Sequence, residues 1–430
     1  MASSPLNLLL LSLLLLPKHP LLNPQPPPPP PRPPRRSQIP HLLSCSSPIQ
    51  LRLRPPVLSS PAVAPAATST QRSPQPTSSR MPTLTLRSSS SAQNPAWRAK
   101  SSPLPAMTTP PIPSARLFRP FLNPVNLLLP FSLLRSIFIS WTILRRFRPQ
   151  IVLGTGSYVA APVCFAAALA GIKFVIQEQN SFPGLTNRSL APYAEKIFLA
   201  FNACVKYFPK EKCVVSGNPV RLALRRYVSK AVARSHFFPK ASAKNGDEKA
   251  QVVLVLGGSS GAYALNIAVL NMYYEMLLEH KNRYIIWQTG ADGYNEMESL
   301  VKNNRRLLLT PFLHSMDLAY AAADVVVSRA GAMTCTEILT TGKPSILIPS
   351  PTVADDHQTK NAYIMADVAG SKVIPQDELD SSCLEIAINE VLGDEKLMAE
   401  MSEKALSVAR PNASAEIAQD MLSLIRVSAP

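Results

Sequence analysis

Short apolar runs alternate with helical segments over the last two thirds of the chain. Gln251–Leu256 is continuously apolar, which is typical of a parallel strand buried on both faces. Further strands are predicted at residues 150–154, 174–177, 196–200, 284–288, 325–328, 345–348 and 372–374, with helices between them, for example at 160–170 and 185–194. Strands that alternate with helices predict an α/β fold built on open parallel sheets.

The strand pattern stops near residue 200 and restarts at residue 251, which predicts two Rossmann-like domains that face a cleft. We assign residues 112–229 to an N-terminal domain and 251–430 to a C-terminal one. Residues 230–250 are polar and are predicted to be a linker, although Phe237-Phe238-Pro239 is apolar enough to dock.

Composition sets the leading residues apart. All 15 glycines and all 27 acidic residues follow residue 153. The earlier residues are rich in Pro, Ser and Arg, so residues 1–60 are predicted to be a disordered leader. An acid-free, Ser- and Arg-rich leader is typical of an organelle transit peptide, and we expect import into a plastid; mitochondrial import, secretion and the absence of a targeting signal are the alternatives.

The net charge of +17 arises in the same leading residues, because the remainder of the chain is neutral. We therefore do not expect nucleic-acid binding. The six cysteines form no CxxC pair, and most lie in apolar runs, so they are predicted to be reduced thiols.

Residues 126–147 (NLLLPFSLLRSIFISWTILRRF) show helical apolar spacing and end in basic residues. One interpretation is a helix whose apolar face packs on the core. The other is a basic, apolar face that contacts a membrane surface.

Two glycine-containing loops follow strands of the second domain and open helices. In the first, Gly258 and Ser259 are placed to offer backbone N–H groups and a helix N-terminus to a diphosphate; a simple packing turn is the alternative. In the second, Glu337 lies about one turn into the helix after Gly331. A carboxylate there can accept from two ribose hydroxyls, and stabilisation by the helix dipole is the alternative.

A third motif, Asp355-Asp356-His357-Gln358-Thr359-Lys360-Asn361, begins a further helix. Gln358 and Asn361 share a helix face, and two carboxamides suit sugar hydroxyls. Asp355 and Asp356 are interpreted as helix-start residues in preference to a metal pair, and His357 as structural. We predict no metal and no cofactor.

Polar residues also end the strands of the first domain, at Gly154-Thr155-Gly156-Ser157-Tyr158 and at Gln177-Glu178-Gln179-Asn180. Parallel sheets present ligand sites at the carboxyl ends of their strands, so both motifs are expected to face the cleft. Arg221, at the end of this domain, can clamp a phosphate; a surface ion pair is the alternative.

Together these motifs resemble the MurG family of UDP-N-acetylglucosamine transferases. The matching stretches include QEQNSFPGLTNR, VVSGNPVR, GGSSGAYALN, SRAGAMTCTEI and ADDHQTKNA, and the resemblance covers residues 112 to 430. It implies a GT-B fold and an inverting transfer of GlcNAc from UDP-GlcNAc to a muramyl peptide carried on a polyprenyl diphosphate, in peptidoglycan biosynthesis, with peripheral membrane contact.

The resemblance also implies a role for each matching residue. Donor contacts would be Gly258, Ser259 and Arg221 to the diphosphate, Phe312, Leu313 and Met333 to uracil, Glu337 to ribose, and Gln358 and Asn361 to the sugar. Acceptor contacts would be Gly156, Tyr158, Glu178 and Asn180, and Glu178 is also the candidate catalytic group.

This sequence departs from the family pattern in three places. Ser157 stands where the family usually has glycine, and Gln177 where it often has His. The family's opening glycine-rich loop, with the His thought to act as general base, is absent, so the N-terminal domain is expected to be incomplete.

If the codons from residue 62 onward are read one nucleotide out of frame, and degenerate third positions are chosen freely, the shifted frame can encode the missing glycine-rich loop. We predict that residues 61–111, a low-complexity segment, come from a frameshift or a mis-spliced gene model, which the transcript sequence tests. The chain as written is expected to be weak or inactive in transfer. Another GT-B enzyme, such as a glycolipid synthase, and a catalytically inactive UDP-sugar-binding protein are the alternative functions.

Overall fold

The computed structural model describes residues 124–239 and 250–426. The leader at 1–60, the segment at 61–111 and the opening residues of the predicted N-terminal domain, 112–123, lie outside the described residues.

The N-terminal domain carries a parallel sheet with the order β1-β2-β3-β4. Its strands are β1 (Val152–Gly154), β2 (Phe174–Glu178), β3 (Lys196–Leu199) and β4 (Cys213–Val215). Its helices are α1 (Leu129–Phe147), α2 (Ser157–Leu169) and α3 (Leu185–Leu190). Short 3-10 turns lie at Pro124–Leu128, Ala191–Tyr193, Asn202–Tyr207, Lys210–Lys212 and Leu222–Arg225.

Helix α4 (Lys230–Phe237) follows, and then the sheet of the C-terminal domain, with the parallel order β10-β9-β8-β5-β6-β7. Its strands are β5 (Gln251–Leu256), β6 (Arg283–Gln288), β7 (Leu307–Thr310), β8 (Val325–Ser328), β9 (Ser345–Leu347) and β10 (Lys372–Val373). The helices that connect them are α5 (Tyr263–Glu279), α6 (Tyr294–Leu300), α7 (Met316–Ala322), α8 (Ala332–Thr341), α9 (His357–Ala369), α10 (Ser381–Gly393) and α11 (Glu395–Val408), with a 3-10 turn at Ala354–Asp356.

The central position of β5 explains its unbroken apolar sequence. Val253 pairs with Ile285 of β6 on one side and with Val325 of β8 on the other. Both faces of the strand are also covered, because alternate residues of β5 belong to two different core clusters. The predicted α/β class with two parallel sheets is confirmed. Strands β4 and β7 were not predicted.

The predicted linker at residues 230–250 is wrong over its first half, which forms α4. Arg234 Nη2 lies 2.7 Å from Asp324 Oδ2, and Lys230 Nζ lies 2.8 Å from Asp324 Oδ1. Phe238 is buried, with its ring centroid 4.9 Å from that of Tyr284. These contacts fix the helix to the C-terminal domain, while residues 240–249 lie outside the described residues.

The last helix, α12 (Ala413–Arg426), returns to the N-terminal sheet. Ile417 is fully buried and packs with Val175 of β2 and Phe198 of β3. Lys196 Nζ also lies 3.2 Å from Asp420 Oδ2. The predicted C-terminal domain at 251–430 is therefore wrong at its end, because α12 covers the other sheet.

Helix α1 buries two serines, while several of its large apolar side chains are exposed. Ser136 and Ser140 are fully buried, and each donates to the backbone carbonyl four residues earlier. Phe131 and Phe138 are 73% and 66% exposed. Leu144 is buried, and Ile137 and Trp141 pack on the same core cluster, so the core-facing interpretation holds for one face of this helix.

Candidate active site

The loop between β5 and α5 packs backbone to backbone against the loop that follows β6. Gly261 has φ +107°, and a Cβ there would lie 2.7 Å from the carbonyl oxygen of Thr289. Gly290, with φ +84°, lies directly against the Gly261 backbone. Only glycine fits such contacts, and they present the neighbouring Gly258 and Ser259 to solvent.

Helix α5 begins immediately after this loop and carries no side-chain cap on its N-terminus. Its first backbone N–H groups therefore need another acceptor, and the positive end of the helix dipole favours an anion. The position of Gly258 is open, since a Cβ there would meet no atom within 4 Å. The arrangement suits the predicted diphosphate contact.

Glu337 lies in α8 at the carboxyl end of β8 and is 8% exposed. The buried Tyr320 hydroxyl donates to Glu337 Oε2 at 3.1 Å, and Arg221 Nε lies 3.9 Å from Oε1. Burial raises the pKa of Glu337, whereas Arg221 and the Tyr320 hydroxyl oppose that rise. The structure thus brings together the predicted ribose carboxylate and the predicted phosphate arginine. Tyr320 was missed, because nothing in its apolar helix distinguishes it from a core residue.

Phe312 and Leu313, predicted to contact uracil, lie on the loop after β7. They line a cavity of about 330 Å³ to which His236 and Phe237 of α4 also contribute. The backbone N–H of Leu313 donates to Gln288 Oε1 at 3.1 Å, and Gln288 Nε2 donates to the Gly258 carbonyl at 2.9 Å. Gln288 thereby links the predicted uracil loop to the predicted diphosphate loop. Met333, the third residue predicted to contact uracil, packs against the core cluster that contains Leu313.

Gln358 and Asn361 lie on α9 as predicted, but they have different surroundings. Gln358 Oε1 accepts from the Ser350 backbone N–H at 3.0 Å and anchors the preceding loop. Asn361 is fully buried; its Oδ1 accepts from Ser181 N at 2.9 Å, and its Nδ2 donates to the Ala330 carbonyl at 3.1 Å. The polar atoms of Asn361 are thus engaged within the protein, and its predicted sugar contact stays a prediction.

Asp355 and Asp356 precede α9 in left-handed backbone conformations, with φ 56° and 50°. Thr359 Oγ1 donates to Asp356 Oδ1 at 2.6 Å, and Lys360 Nζ donates to the Asp355 carbonyl at 2.8 Å. Asp356 is the N-cap residue of α9, but its side chain accepts no backbone N–H of the helix. Within residues 124–239 and 250–426, no group of three or more His, Cys, Asp and Glu side chains is placed to hold a metal ion.

Glu178 is 3% exposed at the end of β2, and its own loop surrounds it. Its Oε1 accepts from the backbone N–H and the side chain of Asn180, and its Oε2 accepts from Gly184 N at 3.1 Å and Asn187 Nδ2 at 2.8 Å. Burial raises its pKa, and these donors oppose the rise. A carboxylate with both oxygens engaged organises a loop, so we reassign Glu178 from candidate catalytic and acceptor-contacting group to loop organiser.

Gly156 and Ser157 both adopt left-handed backbone, with φ +81° and +73°. A Cβ on Gly156 would lie 3.2 Å from Asn187 Nδ2, so this predicted acceptor-binding loop packs closely on the Glu178 loop. Tyr158 follows in the first turn of α2 and is partly exposed. Ser157 thus adopts the backbone conformation that suits the glycine usual in the family. That conformation is strained for serine, which carries a Cβ.

Gln177 leads a buried polar chain that crosses between the domains. Its Nε2 donates to Asn218 Oδ1 at 2.6 Å, and Asn218 Nδ2 donates in turn to Thr336 Oγ1 of α8 at 3.0 Å. Asn218 and Thr336 were not among the predicted site residues. Their positions in the sequence were the available signal, since Asn218 lies three residues before Arg221 and Thr336 lies directly before Glu337.

Two Rossmann-like domains, with a glycine loop and a buried carboxylate at the strand ends of the second, form a GT-B fold, and matching family models place the chain among the glycosyltransferases. The glycosyltransferase family 28 N-terminal domain matches residues 98–199, and the family 28 C-terminal domain matches residues 252–421.

The UDP-N-acetylglucosamine–N-acetylmuramyl-(pentapeptide) pyrophosphoryl-undecaprenol N-acetylglucosamine transferase of Salinibacter ruber is 42% identical over 70% of this chain and 78% of its own length. The enzyme of the same name from Caldanaerobacter subterraneus is 37% identical over 68% of this chain and 80% of its own length. The crystal structure of MurG from Acinetobacter baumannii matches with a TM-score of 0.55 and 29% identity, over 69% of this chain and 79% of that one. The chain belongs to the MurG family.

Proposed function

We propose that the protein transfers GlcNAc from UDP-GlcNAc to a muramyl-peptide precursor linked to a polyprenyl diphosphate, as the names of its relatives describe for them. The observation that carries the proposal is the convergence on Glu337. Its buried carboxylate lies beside Arg221, in a domain whose glycine loop and uncapped α5 suit a diphosphate.

Each part of the donor has a matching group in this domain. The N–H groups at the start of α5, with Gly258 and Ser259, bind the diphosphate, and Arg221 neutralises its charge. Glu337 accepts from the ribose hydroxyls through the lone pairs that Tyr320 leaves open. The Phe312–Leu313 loop contacts uracil, and Gln358 contacts the sugar.

The proposed chemistry is a single displacement at the anomeric carbon. An acceptor hydroxyl attacks C1 of GlcNAc from the face opposite UDP, so a C–O bond forms, the bond to the diphosphate breaks, and the configuration inverts. The hydroxyl proton passes to a base, and UDP leaves with the bonding pair. The diphosphate-binding groups stabilise the negative charge that develops on the leaving group.

A non-catalytic UDP-sugar-binding protein is the second candidate, and the surroundings of Glu178 favour it. Glu178 was the candidate catalytic group, yet both of its oxygens accept from N–H donors of its own loop. A transfer assay separates the two functions. Labelled GlcNAc should move from UDP-GlcNAc to the lipid-linked muramyl peptide if the chain is an enzyme; donor binding without transfer supports the second candidate.

A membrane contact through α1 is a further part of the proposal. Asn126–Phe147 has the length and apolar composition to cross a membrane, and it is the one such helix in the described part of the chain. Its buried serines face the protein, whereas its exposed face carries Leu127, Leu128, Phe131, Leu134 and Phe138. Arg145 and Arg146 end the helix, which contains no acidic residue. An apolar face with flanking cations suits the surface of an anionic membrane, where a prenyl-linked acceptor resides.

Import into a plastid is proposed from the leader alone. Its Ser- and Arg-rich, acid-free composition supports import. A fusion of residues 1–60 to a fluorescent protein should localise to plastids, and a secreted or cytosolic fusion would reject the proposal.

A further inference from the structure

Helix α9 and the loop after β2 meet across the two domains through three side-chain contacts. Ser181 N donates to Asn361 Oδ1 at 2.9 Å, and Asn361 Nδ2 donates to Asn180 Oδ1 at 3.3 Å. Beside them, Lys360 Nζ lies 3.6 Å from the ring centroid of Phe182. Adjacent residues of the donor-domain helix therefore hold adjacent residues of the acceptor-side loop.

Both N–H donors of Asn361 and one lone pair of its side-chain oxygen are engaged within the protein. An asparagine side chain offers two N–H donors and one carbonyl oxygen. One donor bonds to Ala330 in the loop before α8, the other bonds to Asn180, and the oxygen accepts from Ser181. Asn361 is fully buried, so a sugar hydroxyl would have to displace these partners to reach it.

The loop on the other side of the junction is already ordered before it meets Asn361. Glu178 Oε1 accepts from the backbone N–H of Asn180, and Glu178 Oε2 accepts from Gly184 N. Phe182 is further held by an edge contact with Tyr207, with 5.1 Å between the ring centroids. Because these contacts already hold the loop in one conformation, the loop does not adapt when it meets Asn361. The bonds to Asn361 therefore fix the position of one domain relative to the other.

We propose that Asn361 is a positioning residue, a polar latch that fixes the donor domain on the acceptor-side loop, and that it does not bind the donor sugar. Gln358 precedes it by three residues on the same helix, so the latch sets where the proposed sugar contact lies over the loop that ends β2. The consequence for transfer rests on the proposed function, whereas the latch itself is a property of the protein without substrate.

Hydrogen–deuterium exchange on the full chain tests the latch directly. Asn361→Ala removes the acceptor of the Ser181 amide, and exchange of residues 179–184 should quicken about tenfold, as expected for one buried hydrogen bond. Strands β5 and β8 should stay protected, which shows that the donor domain is folded. Tyr363→Ala, an exposed site on the same helix, is the matched control and should leave residues 179–184 unchanged.

If Asn361→Ala unfolds the donor domain, the Lys360→Ala variant tests the latch in its place. Lys360 is partly exposed, and its loss removes a second contact of the same junction. A two- to threefold faster exchange of residues 179–184, roughly what an exposed cation–π contact provides, supports the latch. Unchanged exchange in that segment, in the folded Asn361→Ala variant or in Lys360→Ala, overturns it.

Calorimetry with UDP and UDP-GlcNAc separates the latch from a sugar contact. The ratio of the two affinities should be the same in Asn361→Ala as in the native chain. A selective loss of UDP-GlcNAc affinity in this variant would overturn the latch. Gln358→Ala should lower that ratio; if it does not, the proposed sugar site fails while the latch stands on the exchange data.

Discussion

Tyr320 and Glu337 form a buried hydrogen bond of 3.1 Å between neighbouring helices of the donor domain. The tyrosine donates to Oε2, and Arg221 approaches Oε1 from the other side. This arrangement holds the carboxylate in one orientation before any ligand binds, which lowers the entropy cost of recognition.

Replacing Tyr320 by Phe should weaken UDP binding about tenfold, because a hydrogen bond to a charged group contributes roughly 1.5–3 kcal/mol. Burial already raises the pKa of Glu337, and the Tyr320 hydroxyl opposes that rise. The carboxylate form accepts from ribose, so UDP affinity falls as pH falls through this pKa. In Tyr320→Phe the fall should begin at a higher pH.

Titration calorimetry of UDP between pH 5 and pH 8 measures both effects. Tyr363→Phe, at an exposed position on α9, is the control and should behave as the native protein does. A pH profile of UDP affinity that does not move in Tyr320→Phe would contradict the role of Tyr320.

Glu178→Ala should destabilise the N-terminal domain, since it leaves the N–H groups of Asn180, Gly184 and Asn187 without their acceptor. Of these donors the Asn187 amide is buried, and an unsatisfied buried donor costs about 1–3 kcal/mol. Denaturant unfolding, followed by tryptophan fluorescence, gives the change. Glu178→Gln keeps one carbonyl oxygen and should lose less. If both variants unfold at the native midpoint, Glu178 does not organise the loop.

Ser157→Gly should stabilise the protein by about 1 kcal/mol, because serine at φ +73° pays the steric cost of left-handed backbone. Ser402→Gly in the middle of α11 is the matched control and should destabilise by about 0.5–1 kcal/mol. Thermal unfolding compares the two. A loss of stability in both variants would show that position 157 is not strained.

The exposed face of α1 should bind vesicles that contain an anionic phospholipid. Phe131→Ser combined with Leu134→Ser should lower the partition coefficient about a hundredfold, since each buried apolar side chain contributes roughly 1.5–3 kcal/mol. Leu278→Ser, at an exposed leucine of α5, is the control. Equal binding of all three proteins in co-sedimentation would place the membrane contact elsewhere.

Strands that are buried on both faces could be predicted from the sequence. The hydrogen-bond partners of individual side chains could not. β5 and β8 begin and end at the predicted residues, because a central parallel strand must be apolar throughout. β4 and β7 have three and four partly buried residues, which give no clear periodicity. Family motifs placed Asn361 on the correct helix, but only the fold shows that the Ser181 N–H and the Ala330 carbonyl occupy its side chain.

The packing of α12 on the N-terminal sheet could not be predicted from the sequence either, since an amphipathic pattern does not indicate which domain a helix covers. Ile417 requires an apolar surface, and both sheets offer one. The charge pair of Lys196 with Asp420 is consistent with the choice, but 224 positions separate these residues in the sequence.

Calorimetric titration with UDP-GlcNAc, UDP and 2′,3′-dideoxy-UDP tests the donor site most directly. The native chain should bind UDP-GlcNAc and UDP and should bind the dideoxy analogue at least tenfold more weakly, because Glu337 loses its hydroxyl partners. Glu337→Gln should reduce that preference. Absence of UDP-GlcNAc binding, or an equal preference in the native chain and Glu337→Gln, would contradict the account.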